Sequence, residues 1–318
     1  MLTVYVKSLD GRIAPAADAQ AGLVDPAVVW ADLYQPIAAE EAAVEDAFGV
    51  DAPTALERSA LEESARFYVE DGALFLTATL LGRRDEGPFK ADAVTFVLKG
   101  AKLVTVRTIN PRAFDIGPSR SAARIERAAD GPGVFLALLE ALIERIADVL
   151  HEGAAEKTTL SSRILASESD GDLRAHLRAL GRLGELAAMA HDSLASLHRL
   201  CEHVSQVCHD YGLSRDRLML LLRDVEQLER TAEAQQNHLV FLLDATLGLV
   251  GAAQNNTLKA LSVATIAFVP PTLIASIFGM NFEHMTWFHA PWGPWVGFGM
   301  MLAAPAALFA LAKWRNWF

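Results

Sequence analysis

The sequence predicts an α+β membrane protein: a soluble N-terminal body of strands and helices, one very long helix, and two helices that cross a bilayer. Three observations carry that prediction. Two uncharged apolar runs, Ala260 to Phe278 and Gly293 to Ala312, stand close together near the C-terminus, each about long enough to span a hydrocarbon core. Charge is segregated: of 28 Lys and Arg and 39 Asp and Glu, only Lys259, Lys313, Arg315 and Glu283 lie beyond residue 256. The preceding part therefore carries −13 where the whole chain carries −11. Finally, the apolar pattern is strand-like up to about residue 109 and helical from about Val134.

The elements follow in order. LTVYV, VVWADL, GALFLTATLL, ADAVTFVLKG and AKLVTVRTI are rich in Val, Thr, Phe and Leu and are expected as strands. Pro36 to Phe48 and Thr54 to Ser59 are expected as helices, and Asp71-Gly72 and Gly100 as turns. Val134 to Ala166 and Asp170 to His209 carry helical periodicity with mixed charge. YGLS breaks that pattern, and Ser214 is placed to cap a new helix. If Gly248, Gly251 and the Pro270-Pro271 pair do not interrupt it, that helix runs to Phe278, about 65 residues or close to 100 Å. The expected organisation is residues 1–132 as a cytosolic α/β domain and 133–211 as an antiparallel helical pair. Residues 214–279 form the stalk helix continuing into the first span, 280–292 an external loop, 293–313 the second span and 314–318 a cytosolic basic-aromatic tail.

Composition excludes several classes of function. An acidic body is a poor partner for nucleic acid, which needs an excess of Lys and Arg, and a better one for divalent cations. Two cysteines give no disulfide framework, and MLTVYVKSLDGR has none of the features of a secretory signal, so the large N-terminal part is expected in the cytosol. No phosphate-binding GxxxxGK[ST] loop and no catalytic constellation is legible, so neither an enzyme nor an organic cofactor is expected. No Lys or Arg occurs between Lys259 and Lys313, which places both termini in the cytoplasm. Trp287, Trp292 and Trp295 at one end and Trp314 and Trp317 at the other fit interfacial belts.

The first span carries a polar stripe. At 100° per residue Asn255, Ser262, Thr265, Thr272 and Ser276 fall in a sector roughly 100° wide, with Val269 inside it. Small residues easing helix packing would give such a stripe, and so would the wall of a water-filled pore. Gly251, Gly248, Asp244 and Asn237 continue the same side downward. One stripe cannot enclose a channel, so a pore requires several copies around an axis. In LHRLCEHVSQVCHDY, His198, Cys201, His203, Cys208 and His209 offer a rival metal site, but no CxxC or HxxxH pair supports it.

The Gly279-Met280-Asn281 tripeptide closing the first span resembles the signature of CorA-type magnesium and cobalt channels, and Phe282-Glu283-His284-Met285 resembles the CorA branch rather than the ZntB branch. LLDATLGLVGAAQNNTLKALSVATIAFVP is similar to the family's pore helix. VVWADLYQP and SARFYVEDGALFLTATL resemble its N-terminal domain, and KWRNWF its C-terminus. The resemblance implies a homopentamer in a bacterial-type inner (plasma) membrane, with a funnel-shaped cytosolic α/β sandwich and long helices. It implies influx of Mg²⁺, with Co²⁺ or Ni²⁺ as further ions, driven by the membrane potential. Asn281 would line the external mouth with Glu283 just outside, and Gly279 and Met280 would belong to the same mouth. The pore line would fall on Asn255, Leu258, Leu261, Val269 and Thr272, with Asp244 facing the stalk lumen. Cytosolic Mg²⁺ would also regulate: the family's usual aspartate position falls on Leu220, with Asp216 and Asp224 one turn to either side. Pro270 matches the family's proline, and Pro271 is extra. Two other readings stay open, a proton-coupled zinc transporter of the ZntB kind, to which His284 and His289 near the mouth would suit, and a pore-less membrane-anchored metal sensor.

Overall fold

Side chains alternate across a strand, and in this chain both faces are apolar, so both must be covered. Among the described residues the strands are β1 (Leu2–Lys7), β2 (Ile13–Pro15), β3 (Val28–Tyr34), β4 (Phe67–Glu70), β5 (Ala73–Arg83), β6 (Phe89–Lys99) and β7 (Lys102–Arg107). They form one sheet in the order β2-β1-β3-β7-β6-β5-β4, parallel only between β3 and β7. The computed structural model describes residues 1–54, 57, 62–84, 87–114, 120–166, 170–280 and 291–315. Most of the expected helix at Thr54 to Ser59 lies outside them.

The helices are α1 (Ala19–Leu23), α2 (Ala38–Phe48), α3 (Glu63–Arg66), α4 (Arg120–Glu126), α5 (Gly131–Ala166), α6 (Asp170–Val207), α7 (Arg215–Phe278) and α8 (Gly293–Trp314). The chain divides into two units. Met1–Leu165 and Leu177–Leu242 form the first, Ala166–His176 and Leu243–Phe318 the second.

In the first unit the sheet is the middle layer. Leu74, Leu76, Ala78 and Leu80 of β5, with Phe96 and Leu98 of β6, face Phe135 and Leu139 of α5 and Leu197 and Leu200 of α6. Phe75, Val97 and Val104 face the other way, against Val44 and Phe48 of α2. The outcome is an α/β sandwich. Asp71 and Gly72, both left-handed (φ 47° and 74°), make the tight turn from β4 to β5. Past Leu76 no strand among the described residues lies outside β5, and the N–H of Thr79 donates instead to Ser196 Oγ of α6 at 2.8 Å.

One ion pair is buried in this layer. Asp32 Oδ2 accepts from Arg107 Nη2 at 2.8 Å, and Asp32 Oδ1 accepts from Thr105 Oγ1 at 2.7 Å and Arg107 Nε at 3.0 Å. Thr105 Oγ1 in turn accepts from Trp30 Nε1 at 2.9 Å. Arg107 Nη1 donates to the Ile109 carbonyl at 3.1 Å and to Asn110 Oδ1 at 2.6 Å, and its guanidinium lies over Tyr34 and Phe114. Removing a charge pair from water is tolerable only with such complete hydrogen bonding.

Within the same unit α5, α6 and the first part of α7 pack together. Leu160, Ile164, Leu180, Leu183, Leu239 and Leu242 form a separate apolar cluster. Glu140 of α5 accepts from Arg217 of α7 at 2.6 Å and from Arg124 of α4 at 3.0 Å, and Gln235 Nε2 donates to the Leu150 carbonyl at 3.1 Å. Ser214 stands just before α7, its carbonyl accepting the N–H of Leu218.

Candidate functional site

Residues of α7 beyond Leu243 and the whole of α8 are long and apolar enough to cross a membrane. None of the most apolar eighteen-residue stretch of α7 is buried, and only 11% of that of α8. Core helices of soluble proteins hide such stretches; these expose them, so a buried soluble hairpin does not describe them. Hydrocarbon is the solvent that fits such a surface.

α7 continues through Gly248, Gly251 and both prolines. Pro270 and Pro271 have no N–H, which removes the donors that would bond the carbonyls of Ile266 and Ala267. The helix ends without a left-handed glycine. Gly279 N–H reaches the Ala275 carbonyl at 2.9 Å, and the last turn tightens as Met280 N–H bonds Ile277 at 3.3 Å. Gly297 of α8 receives the ring of Phe278. A Cβ there would sit 2.8 Å from Phe278 Cε1, so only glycine admits that contact.

The predicted stripe is exposed along its length. Asp244, Asn255 and Thr272 are exposed, and Leu258, Leu261 and Val269 expose 57 to 62% of their surface. The hydroxyls of the stripe bond back to the helix. Ser262 Oγ donates to the Leu258 carbonyl at 2.8 Å, Thr265 Oγ1 to Leu261 at 2.9 Å and Thr272 Oγ1 to Phe268 at 2.6 Å. Each proton is held by the helix itself, leaving the oxygen's lone pairs to face outward. Gly279 and Met280 are exposed at the helix end, whereas Asn281, Glu283, His284 and His289 lie outside the described residues. Trp292, Trp295 and Trp314 are exposed, at 55, 77 and 81%.

Residues 25–313 match the family described as "CorA-like Mg2+ transporter protein". The chain belongs to this CorA-like family. The members of that family are ion transporters, not enzymes. The magnesium transport protein CorA of Haemophilus influenzae (strain Rd) is 28% identical over 297 residues, 91% of this chain and 92% of that protein. That of Escherichia coli (strain K12) is 28% identical over 291 residues, with the same coverage. The complete structure of the CorA magnesium transporter from Methanocaldococcus jannaschii superposes with a TM-score of 0.71 at 17% identity, covering 98% of this chain and 97% of that one. This likeness shows a shared fold.

The CorA-like chain does not gather the other sequence candidates into one centre. Asp216 and Asp224 are exposed on the first part of α7, with Leu220 between them 58% exposed. Among the described residues no three His, Cys, Asp or Glu side chains converge as a metal cage. The rival histidine-cysteine set is dispersed. His198 Nδ1 lies 2.8 Å from Glu229, and His203 stacks on Phe67 with centroids 5.2 Å apart. Cys201 is fully buried, and burial pushes its thiol up to about 12, which opposes the thiolate a metal needs. Cys208 is buried and donates weakly to the Ser205 carbonyl.

Two features of these helices escaped the sequence reading. Gly297 is one of several small residues in an apolar run, and only three-dimensional proximity reveals its pairing with Phe278. The hydroxyl back-bonds had a signal: Ser or Thr within a helix commonly bonds the carbonyl four residues earlier.

Proposed function

We propose that this chain is a Mg²⁺ channel, a homopentamer whose α7 helices surround a water-filled pore. The observation that carries this reading is the one-sided stripe of Asn255, Ser262, Thr265 and Thr272 on an unburied spanning helix, with hydroxyl lone pairs facing out. Mg²⁺ dehydrates reluctantly, and the waters around it point their hydrogens outward. A wall of acceptors receives those hydrogens without stripping the ion. The names of the relatives, magnesium transport proteins, support the same cargo. Co²⁺ and Ni²⁺, of similar charge and hydration, are further substrates.

In this reading both termini are cytoplasmic, the membrane is the inner membrane, and residues 280–292 face outside. Glu283 concentrates cations at the mouth, and a ring of Asn281 amides admits the hydrated ion without the tight binding that carboxylates would impose. Gly279 and Met280 end the helix beneath that ring. Leu258, Leu261 and Val269 form apolar rings that close by dewetting, and Asp244 collects ions on the cytosolic side. The carbonyls of Ile266 and Ala267, deprived of donors by the two prolines, gain water as a partner if they face the lumen. The membrane potential supplies the drive, about 4.6 kcal/mol for a divalent ion at 100 mV. Internal Mg²⁺ holds the channel closed through carboxylates shared between neighbouring copies, with Asp216 and Asp224 as candidates.

The test is Mg²⁺ flux into proteoliposomes. Wild-type protein should conduct with an inside-negative potential, Asn281→Ala should lose at least tenfold, and Asp216→Asn with Asp224→Asn should keep conducting at millimolar internal Mg²⁺. Uptake that follows an imposed pH gradient and not the potential would replace this reading with a proton-coupled transporter.

A further inference from the structure

The N-terminal unit contains a cavity of about 380 Å³ that plays no part in the conduction reading. It lies between the loop end of the β5–β6 hairpin, the segment after β7, and the middle of α5. Leu80, Phe89, Leu142, Ile146 and Val149 give it an apolar lining. Arg83, Arg112 and Arg145, from three different elements, line it too.

The frame around these arginines is built. Arg83 and Asn110 form an isolated antiparallel bridge, Asn110 N–H donating to the Arg83 carbonyl at 2.7 Å. Asn110 Oδ1 accepts from Arg107, whose other nitrogens hold the buried Asp32. The buried ion pair thus fixes the segment that carries Arg112. Gly82 allows the two stretches to touch, since a Cβ there would lie 3.0 Å from the Pro111 nitrogen.

Among the described residues, the charge at this cavity has few close partners. The Arg83 guanidinium lies over the Phe89 ring at 4.2 Å, and neither it nor that of Arg112 forms an ion pair with a described residue. Arg145 has only long contacts, 3.8 Å to Asp148 and 3.9 Å to Glu152. In a chain of net charge −11, three arginines from three elements line one cavity, beside five apolar side chains. Guanidinium forks match phosphate oxygens, and a cavity of this size with an apolar wall suits a small organic body.

We propose that this cavity binds a small organic phosphate of mononucleotide size, its phosphate held by Arg83, Arg112 and Arg145 and its ring system against Phe89, Leu142 and Ile146.

Calorimetric titration of the full-length protein in detergent, with EDTA to remove divalent ions, tests it. AMP and ATP should bind, and inorganic phosphate alone should bind at least tenfold more weakly. Arg83→Gln with Arg112→Gln should weaken AMP at least tenfold while melting temperature and oligomer mass stay unchanged. Should that variant misfold, phenylglyoxal labelling of wild-type protein replaces it: AMP should protect Arg83 and Arg112, read by peptide mass spectrometry. Phosphate binding as tightly as AMP would overturn the organic part of the proposal. Absence of AMP and ATP binding, or binding indifferent to both arginines, would overturn the whole.

Discussion

Trp30 in the first unit exposes none of its surface, whereas Trp295 in the second exposes 77%. Leucine behaves the same way: Leu76 is 0% exposed and Leu261 is 62% exposed. In the sandwich, apolar surface is removed from water by other protein. Along α7 beyond Leu243 and along α8 it is left for another solvent. Hydrophobicity therefore states only that a side chain leaves water; the length and continuity of the apolar run decide what covers it.

Breaking the sandwich should have the largest effect on stability. Arg107→Ala strands the Asp32 carboxylate in the layer between sheet and helices, at a cost of about 3–5 kcal/mol, read by thermal unfolding monitored by circular dichroism. A loss below about 1 kcal/mol would mean that water reaches Asp32. The comparison sharpens with one truncation made in both places. Leu76→Ala should cost about 2–5 kcal/mol, and Leu261→Ala in detergent less than about 0.5 kcal/mol, its consequence appearing in Mg²⁺ flux instead. Gly297→Val should cost about 1–3 kcal/mol by crowding the Phe278 ring, and Phe278→Ala in the same chain should recover part of it. Thr272→Val should leave the melting temperature in place while slowing Mg²⁺ flux severalfold.

The smallest effect concerns Cys201. With its thiol pushed up to about 12, on the order of one molecule in ten thousand is thiolate at pH 8, and native protein should resist iodoacetamide that labels it after unfolding. The folded state holds this proton more tightly than the unfolded chain does. Its contribution to stability is complete below about pH 8.5 and disappears as pH rises towards 12.

How much the sequence disclosed followed the length of each signal. The long strands at 73–83 and 89–99 and the unbroken helix to Phe278 repeat their pattern often enough to be read directly. β2 and β4, of three and four residues, and the five-residue α1 are too short to show a period. α5 begins at Gly131, earlier than the apolar pattern suggests, because Pro132 fits a first helical turn where no N–H is needed. The pairing of Asp32 with Arg107 was invisible for a different reason: its partners are 75 residues apart, and a parallel β3–β7 register alone brings them together. Of the residues proposed for conduction, the stripe on α7 was legible as a periodicity. Asn281 and Glu283 rest on the resemblance of their motif.

The back-bonded hydroxyls of Ser262, Thr265 and Thr272 also bear on the sign of what could travel beside them. A chloride ion needs hydrogens to hold, and these three side chains have none to give. If α7 lines the proposed pore, an anion beside such a wall would lose water contacts and gain no hydrogen from these three side chains, so negative charge would be disfavoured without a single negative charge among those hydroxyls.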